Sequence, residues 1–157
     1  MSRKSSFAAS TLTVTLKESL TLDGRDYGGS QSYSFSSIGN VTRRIETVTT
    51  TEATFLTFSS AMAAGTYIPA NIKYLRFSNL DDTNHIVLTF ANENDDEMAI
   101  KLDAGQSFIM NGDNSGGMAD VMDAESSALT VSLGDLKSVT ADADTASCDM
   151  EMFIAGA

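Results

Sequence analysis

Apolar and polar residues alternate with a period of two along most of this chain, which is the spacing of half-buried β-strands. In TLTVTL, residues 11–16, leucine and valine share one parity and threonine takes the other. The phase shifts near Lys17–Ser19 before the alternation resumes in LTL, so we expect a bulge or a twist there. Asp23-Gly24 is a turn dipeptide, and Gly28-Gly29 marks a second flexible point. The first part of the chain therefore predicts strands joined by tight turns.

The middle of the chain repeats this pattern. VTRRIETVTT carries charges and apolar residues on both parities, which is typical of a strand near the edge of a sheet. IKYLRFSNL and NHIVLTFAN are separated by turn-forming residues, so the pair predicts a β-hairpin. Further strand-like segments are SYSFSSI, ATFLTFS, EMAIKL, QSFIMN, ALTVSLG, KSVTADA and CDMEMFIAG. MADVMDAESS predicts at most a turn or two of helix.

These elements define an all-β fold with about nine or ten short strands and little helix. We expect an antiparallel β-sandwich or a jelly-roll-like single domain over residues 11–157. Residues 1–10 begin with basic and then polar residues, without the apolar core of a signal peptide, and predict a flexible N-terminal arm.

Composition agrees with a folded domain and removes several chemistries. The chain has 157 residues, of which 42% are hydrophobic, and no apolar run is long enough for a transmembrane helix. Cys148 is the sole cysteine and His85 the sole histidine. One chain therefore cannot form a disulfide, a cysteine-based zinc site or a Ser-His-Asp triad. Cys148 is expected to be a small buried residue, and His85 a solvated residue at a strand edge.

Charge is distributed unevenly along the chain. Residues 1–78 carry a net charge of +3 and residues 79–157 a net charge of −14, which gives −11 in total. Such an acidic second half repels nucleic acid and anionic membranes, so neither is an expected partner.

The stretch MNGDNSGGMADVMDAE resembles a metal site because four acidic residues surround a glycine-rich turn. Started from Asp113, an EF-hand register places serine, glycine and alanine at positions that need oxygen ligands and methionine where glycine is required. A site built from several loops would use Asp95, Asp96 and Asp113, together with Glu97. These are weak metal candidates, and no cofactor is expected. The stretch is therefore interpreted as a long, mobile surface connection.

No catalytic signature emerges. Acidic residues are so frequent that a pair of carboxylates at glycosidase spacing arises by chance, and the chain lacks tryptophan platforms for sugar. GRDYGGS lacks the lysine of a phosphate-binding loop. Arg43 and Arg44 are adjacent in a strand and face opposite ways, so they cannot hold one ligand together. We expect a protein that is not an enzyme.

Several segments together resemble small virion structural proteins of marine tailed bacteriophages, cyanophages included. The resemblance is carried by TLTVTLKESLTLDGRDYG, IGNVTRRIETVTTTEATFLTF, IKYLRFSNLDDTNHIVLTF, IKLDAGQSFIMNG and the ending MEMFIAGA. It implies a β-rich component of the particle, assembled in the host cytoplasm and contacting the major capsid protein or other virion proteins. The group offers no catalytic residues to carry over.

Within that resemblance the leading hypothesis is a capsid decoration or cement protein, a homo-oligomer for which a trimer is the working assumption. The basic first half would then face an acidic capsid surface, and the acidic half would face solvent. The residues expected to bind the partner are Arg3, Lys4, Arg25, Arg43 and Arg44.

Three alternatives stay open. The first is a tail, neck or fibre-attachment component of the virion. The second is a host-surface carbohydrate-binding module that stacks sugars on Tyr27, Tyr33, Tyr67 or Tyr74. The third is a hydrolase that works through Asp95, Asp96 or Asp113.

Overall fold

The computed structural model of the protein describes residues 8–61, 63, 65–122, 124 and 133–157. Thirteen strands lie in this part of the chain, ten of them at least five residues long. Their bounds are β1 Ser10–Glu18, β2 Thr21–Leu22, β3 Arg25–Asp26, β4 Gly29–Ile38, β5 Asn40–Val48, β6 Ala53–Phe58, β7 Thr66–Tyr67, β8 Ile72–Asn79, β9 Ile86–Asn92, β10 Glu97–Leu102, β11 Ser107–Asn111, β12 Leu136–Ala143 and β13 Cys148–Gly156. A short 3-10 helix spans Pro69–Asn71. The all-β prediction is confirmed.

Eight of the strands form a jelly roll. One sheet has the order β11-β8-β13-β5, and the other has the order β10-β9-β12-β6 with the short β7 added parallel to β6. If the eight strands are counted along the chain from β5, the two orders are 6-3-8-1 and 5-4-7-2, the nested arrangement of two Greek keys. All pairs among these eight strands are antiparallel. The observed order favours the jelly roll over other sandwich topologies.

The core lies between these two sheets. Alternate residues of each strand point inward, as the burial of Ile86, Leu88 and Phe90 along β9 shows. Phe77 from one sheet meets Phe90 from the other edge to face, with ring centroids 5.9 Å apart. Each such fully buried apolar side chain contributes about 1.5–3 kcal/mol to folding.

The N-terminal strands form a separate two-stranded ribbon, which comprises β1 to β4. Partner positions stay constant from Leu12 opposite Phe35 to Leu22 opposite Arg25. Asp23 and Gly24 both have positive φ, 50° and 75°, as a two-residue type I′ hairpin turn requires. The turn was predicted from its sequence.

Of the bulge or twist expected near Lys17–Ser19, the bulge is absent. β1 ends at Glu18 and β2 begins at Thr21, but the register is the same on both sides, and Tyr27 donates its N–H to the Leu20 carbonyl oxygen at 2.8 Å. No residue is inserted, so every even position from Leu12 to Leu22 stays on one face of the ribbon.

Two further predictions concern β8, β9 and β5. The hairpin between β8 and β9 is wrong, because β8 pairs with β11 and β13 while β9 pairs with β10 and β12 in the other sheet. The turn between them carries the chain from one sheet to the other. The prediction that VTRRIETVTT is an edge strand is confirmed, since β5 lies at the end of its sheet.

The stretch MNGDNSGGMADVMDAE is less of a surface loop than its sequence indicates. Met118 and Met122 are 0% and 4% exposed and belong to the main core. Asp113 and Gly117 exchange two backbone hydrogen bonds of 2.8 and 2.9 Å, and the Met118 N–H donates to the Pro69 carbonyl oxygen at 2.7 Å. Asp123 and Glu125 of this stretch, most of ALTVSLG and most of the N-terminal arm lie outside the described residues.

Candidate protein-interaction surface

The ribbon has one apolar face and one polar face. Directly opposed residues of an antiparallel pair share a face, so the even residues of β1 and β2 lie beside the odd residues of β3 and β4. The apolar face carries Leu12, Val14, Leu16, Leu20 and Leu22 from the first half of the ribbon, with Phe35, Tyr33 and Tyr27 from the second.

Hydroxyl side chains line the opposite face. Thr13 pairs with Ser34 and Thr15 with Ser32, with hydroxyl oxygens 3.3 and 2.8 Å apart. This face suits water, which leaves the apolar face as the surface that gains from being covered.

The base of the apolar face is covered by the protein itself. Phe35 and Ile38 are 5% and 7% exposed and pack with Tyr74 and Ala155 on the outer surface of the β11-β8-β13-β5 sheet. Leu12, Val14, Tyr33, Ile109 and Phe153 are partly buried around this second cluster. Burial raises the pKa of the Tyr74 hydroxyl.

Polar side chains fasten the base of the ribbon to the sandwich. Lys73 Nζ donates to the Ser36 carbonyl oxygen at 2.7 Å, and the Tyr33 hydroxyl donates to Asn111 Oδ1 at 3.2 Å. Asn114 accepts a bond from the Ser36 N–H and donates one to the Ser34 carbonyl oxygen. The glycine-rich stretch that contains Asn114 therefore has a role in holding the ribbon in place.

Beyond its base the ribbon projects from the sandwich. Every residue from 15 to 32 is exposed. Leu16 is 45% exposed, Leu20 and Leu22 are each 55% exposed, and Tyr27 is 58% exposed. We call residues 16–31 the distal ribbon. Its apolar side chains continue the face that is buried at the base, with Glu18, Gln31 and Arg25 beside them, and exposed apolar surface bordered by polar residues marks protein-interaction sites.

A three-charge network lies on the outer surface of the same sheet, next to the ribbon base. Glu151 on β13 accepts hydrogen bonds from Arg43 Nη2 at 2.8 Å and from Arg76 Nη2 at 2.6 Å. The hydrogen bonds from Arg43 and Arg76 hold the pKa of the Glu151 carboxyl below its usual value, although burial acts in the opposite direction. Arg43 remains widely exposed, with 66% of its side chain accessible.

The edge strand β5 adds exposed apolar side chains beside this network. Val41 and Ile45 are 52% and 59% exposed. They share the outer face with Arg43 and Thr47, and β13 contributes Glu151 and Asp149 as their neighbours. We call the strip formed by Val41, Arg43, Ile45, Thr47, Glu151 and Asp149 the β5 face.

The residues predicted to bind a partner do not form one patch. Arg25 lies beside the turn of the distal ribbon, and Arg43 lies on the β5 face. Arg44 points to the other side of β5, where its Nη2 donates to the Phe55 carbonyl oxygen at 2.8 Å. Its Nε is 2.9 Å from Glu46 Oε1, a contact that makes an ion pair without a well-directed hydrogen bond. Arg3 and Lys4 lie outside the described residues.

The candidate metal ligands are occupied by protein partners. Asp95 pairs with Lys137, and Asp96 accepts a hydrogen bond from the Asn92 amide at 3.0 Å. Asp113 accepts bonds from the N–H and the hydroxyl of Ser115, which lower the pKa of its carboxyl. Within the described chain, no three metal-binding side chains of His, Cys, Asp or Glu come together.

The remaining candidate residues are scattered. Tyr74 is 4% exposed, so its ring face is covered, whereas Tyr27 projects from the distal ribbon. His85 Nδ1 lies 3.6 Å from Asp144 Oδ2. Cys148 is 1% exposed, and burial raises the pKa of its thiol. None of the helical residues described forms a segment of the length and apolarity that crossing a membrane requires.

The sequence does contain a signal for the distal ribbon, which is the odd or even position of its apolar residues along the two strands. Leu16, Leu20, Leu22 and Tyr27 fall on one face only when the strands pair around Asp23-Gly24 with no inserted residue. The expected bulge concealed this continuity. The same face leaves the sandwich halfway along the ribbon. The point at which it does so depends on tertiary packing, which has no local sequence signal.

Comparison with known proteins provides no family. No protein-family model and no curated protein matches the chain. Among solved structures it is similar to a chain from the study "Bacillus endospore appendages form a novel family of disulfide-linked pili", with a TM-score of 0.40 and 10% sequence identity. That alignment covers 99% of this chain and 96% of the other. A similarity at this level identifies neither a family nor a function.

Proposed function

We propose that this protein is a non-enzymatic structural protein of a bacteriophage particle, a capsid decoration or cement protein that binds the outer capsid surface and stabilises the head. The observation that carries the proposal is the distal ribbon, an ordered and projecting element whose apolar face is open to a protein partner. The resemblance of five sequence segments to virion proteins of marine tailed phages supplies the biological setting.

The physical properties of the ribbon suit assembly. A two-stranded ribbon is weak on its own, but this one is anchored by Phe35, Ile38 and the Lys73 and Asn114 hydrogen bonds. Anchoring reduces the conformational entropy lost when the apolar face meets a partner.

Charge supports a protein partner over nucleic acid or membrane. The net charge of −11 repels polyanions, while Arg25 and Arg43 remain exposed on two surfaces. In this proposal the partners are the major capsid protein and further copies of the chain, and the location is the assembled virion.

The test is the copy number of the protein in gradient-purified particles of the phage that encodes it, measured by quantitative mass spectrometry against the major capsid protein. A decoration protein is present at a number comparable to that of the capsomers. A number that matches a single vertex would assign the protein to the tail or neck instead. Its absence from particles would contradict the proposal altogether.

A second measurement addresses stabilisation. Particles assembled without the protein are expected to release their genome at a lower temperature than normal particles, and added purified protein is expected to restore the higher temperature. Equal release temperatures would contradict a cement function while leaving the copy-number result intact.

A further inference from the structure

We infer that the distal ribbon docks face to face on the β5 face of a second copy of this chain. The inference rests on the proposed function, because it names one partner of the surface on which that function depends. It concerns residues 16–31 of one protomer and β5 with β13 of its neighbour.

The chain itself shows how this ribbon packs. At its base the apolar face lies on the outer surface of the β11-β8-β13-β5 sheet, where Leu12 and Phe35 meet Tyr74 and Phe153. The distal ribbon extends the same face with the same residue types, beyond the part of the sheet that its own chain provides. A neighbouring copy offers the same kind of sheet surface.

The β5 face is uncovered and partly apolar. Ile45 is 59% exposed, as much as any apolar residue on the distal ribbon. It lies between Arg43 and Thr47 along β5, and Asp149 stands opposite Thr47 on β13. Glu151 stands opposite Ile45 on β13 and is paired with Arg43 and Arg76. Along the direction of β5 the apolar centre therefore has a cation at one end and an anion at the other.

The distal ribbon carries the complementary arrangement. Leu20 stands opposite Tyr27 at the centre of the exposed apolar face. Glu18 lies two residues before Leu20, and Arg25 lies opposite Leu22, two residues after it. An anion, an apolar pair and a cation thus follow one another, where the β5 face presents a cation, an apolar centre and an anion.

The spacings of the two surfaces agree. Glu18 and Leu22 are four residues apart along the ribbon, and Arg43 and Thr47 are four residues apart along β5. At about 3.3 Å per residue, each charge pair is separated by about 13 Å along the strand direction. Glu18 can therefore meet Arg43 while Arg25 meets Asp149, with Leu20 on Ile45 between them.

The handedness of the two surfaces also allows them to meet face to face. The Tyr27 N–H bonds to the Leu20 carbonyl oxygen, so this outward pair is hydrogen bonded, whereas the Asp149 carbonyl oxygen bonds to Leu80 on the side away from β5. Each surface is viewed from the side of its contact face, with β1 or β5 pointing upward. For L-residues, the difference in hydrogen bonding then places β3 to the right of β1 and β13 to the left of β5. The two faces can then meet with β1 above β5 and β3 above β13, as in aligned sheet packing.

Disulfide cross-linking between copies of the chain that carry different cysteine substitutions tests this contact. Chains with Leu20→Cys are mixed with chains carrying Ile45→Cys and oxidised, and the control mixture replaces Leu20→Cys by Thr21→Cys, whose side chain lies on the polar face. Disulfide-linked dimers from the first mixture and not from the control are expected. Dimers from both mixtures, or from neither, would overturn the inference.

The oligomeric state of the full chain provides a second measurement, by light scattering after size-exclusion chromatography. The wild-type chain is expected to associate, and Leu20→Asp is expected to lower the association constant at least about tenfold, because docking would bury an unpaired charge. Thr21→Asp is the matched control and is expected to associate like the wild type. Since Leu20 is exposed, both variants should unfold at the wild-type midpoint, which separates docking from folding.

A charge exchange identifies the neighbour's surface. Arg25→Glu and Asp149→Arg are each expected to weaken association about fivefold, and the double variant is expected to restore it. A wild-type chain that stays monomeric, or a double variant weaker than both single ones, would overturn the inference. If the monomer nevertheless binds particles and Leu20→Asp abolishes that binding, the ribbon contacts the capsid protein, and the proposed function survives without the inference.

Discussion

Tyr27 donates its backbone N–H to the Leu20 carbonyl oxygen at 2.8 Å, and the two side chains stand next to each other with exposed fractions of 58% and 55%. An ordered, hydrogen-bonded position thus presents two large apolar side chains to solvent. The order is inherited from the base of the ribbon, where the same face is buried. This division into a buried base and an open distal part is the basis of the following predictions.

The base of the ribbon should be part of the cooperative fold, and the distal part should not. Phe35→Ala removes a ring that packs against Tyr74, with centroids 6.0 Å apart, and is expected to lower the free energy of unfolding by about 3 kcal/mol. Leu22→Ala, at a residue 55% exposed, is expected to change it by less than about 0.5 kcal/mol. Urea denaturation of the two variants measures both values. Similar losses in the two variants would show that the distal part also packs on its own chain.

The Glu151 carboxylate should contribute stability that depends on pH. Because Arg43 and Arg76 lower its folded-state pKa, the folded protein keeps Glu151 ionised at pH values where the unfolded chain binds a proton. The contribution is therefore fully present above the ordinary pKa of glutamate and is lost as the pH falls through the lowered pKa. Glu151→Gln is expected to cost about 1–3 kcal/mol at neutral pH, with a smaller difference from the wild type in acid.

Denaturation of the wild type and Glu151→Gln across a pH series measures this difference, with Glu97→Gln as a control at an exposed carboxylate. A difference in the free energy of unfolding that stays constant down to strongly acidic pH would show that the two arginines do not stabilise the ionised form of Glu151.

Two glycines with similar backbone geometry should differ in their tolerance of alanine. Gly117, in the glycine-rich stretch, should not tolerate it, whereas Gly105, before β11, should. Gly117 has φ +58°, and an added Cβ would lie 2.3 Å from the Ala70 carbonyl oxygen. Gly105 has φ +70°, with no atom within 4 Å of an added Cβ. Gly117→Ala is expected to cost more than about 3 kcal/mol, because backbone must move. Gly105→Ala is expected to cost about 1 kcal/mol, the conformational term alone.

Thermal unfolding of the two glycine variants provides the comparison. Equal costs at the two positions would mean that the stretch following β11 is not packed against the 3-10 helix Pro69–Asn71.

Local sequence patterns predicted the elements of this fold better than their connections. The Asp23-Gly24 turn and the edge position of β5 follow from residue types at fixed positions, because positive φ and mixed polarity are local requirements. The pairing of β8 and β9 was mispredicted because the residues between Asn79 and Ile86 specify a reversal of the chain but not the sheet that receives the next strand. That choice depends on contacts with β12 and β13, far along the sequence.

Candidate sites were harder to predict for a similar reason. The acidity around Asp113 made it a weak metal candidate in a predicted surface loop, yet its nearest partners are Ser115 and a backbone turn, while neighbouring Met118 fills the core. The apolar residues of the distal ribbon look like ordinary strand residues in the sequence. They differ from Leu12 and Val14 only in lying beyond the sheet that covers those two.

In the assembled state the distal ribbon should be covered by its partner, which is the central claim made for this protein. Side-chain labelling by hydroxyl radicals, read by mass spectrometry, compares the protein on purified particles with the free protein at high dilution. We expect Leu20, Leu22 and Tyr27 to lose most of their reactivity on the particle, while Leu133, 47% exposed just before β12, keeps its own. A distal ribbon that stays fully reactive on the particle would contradict the central claim.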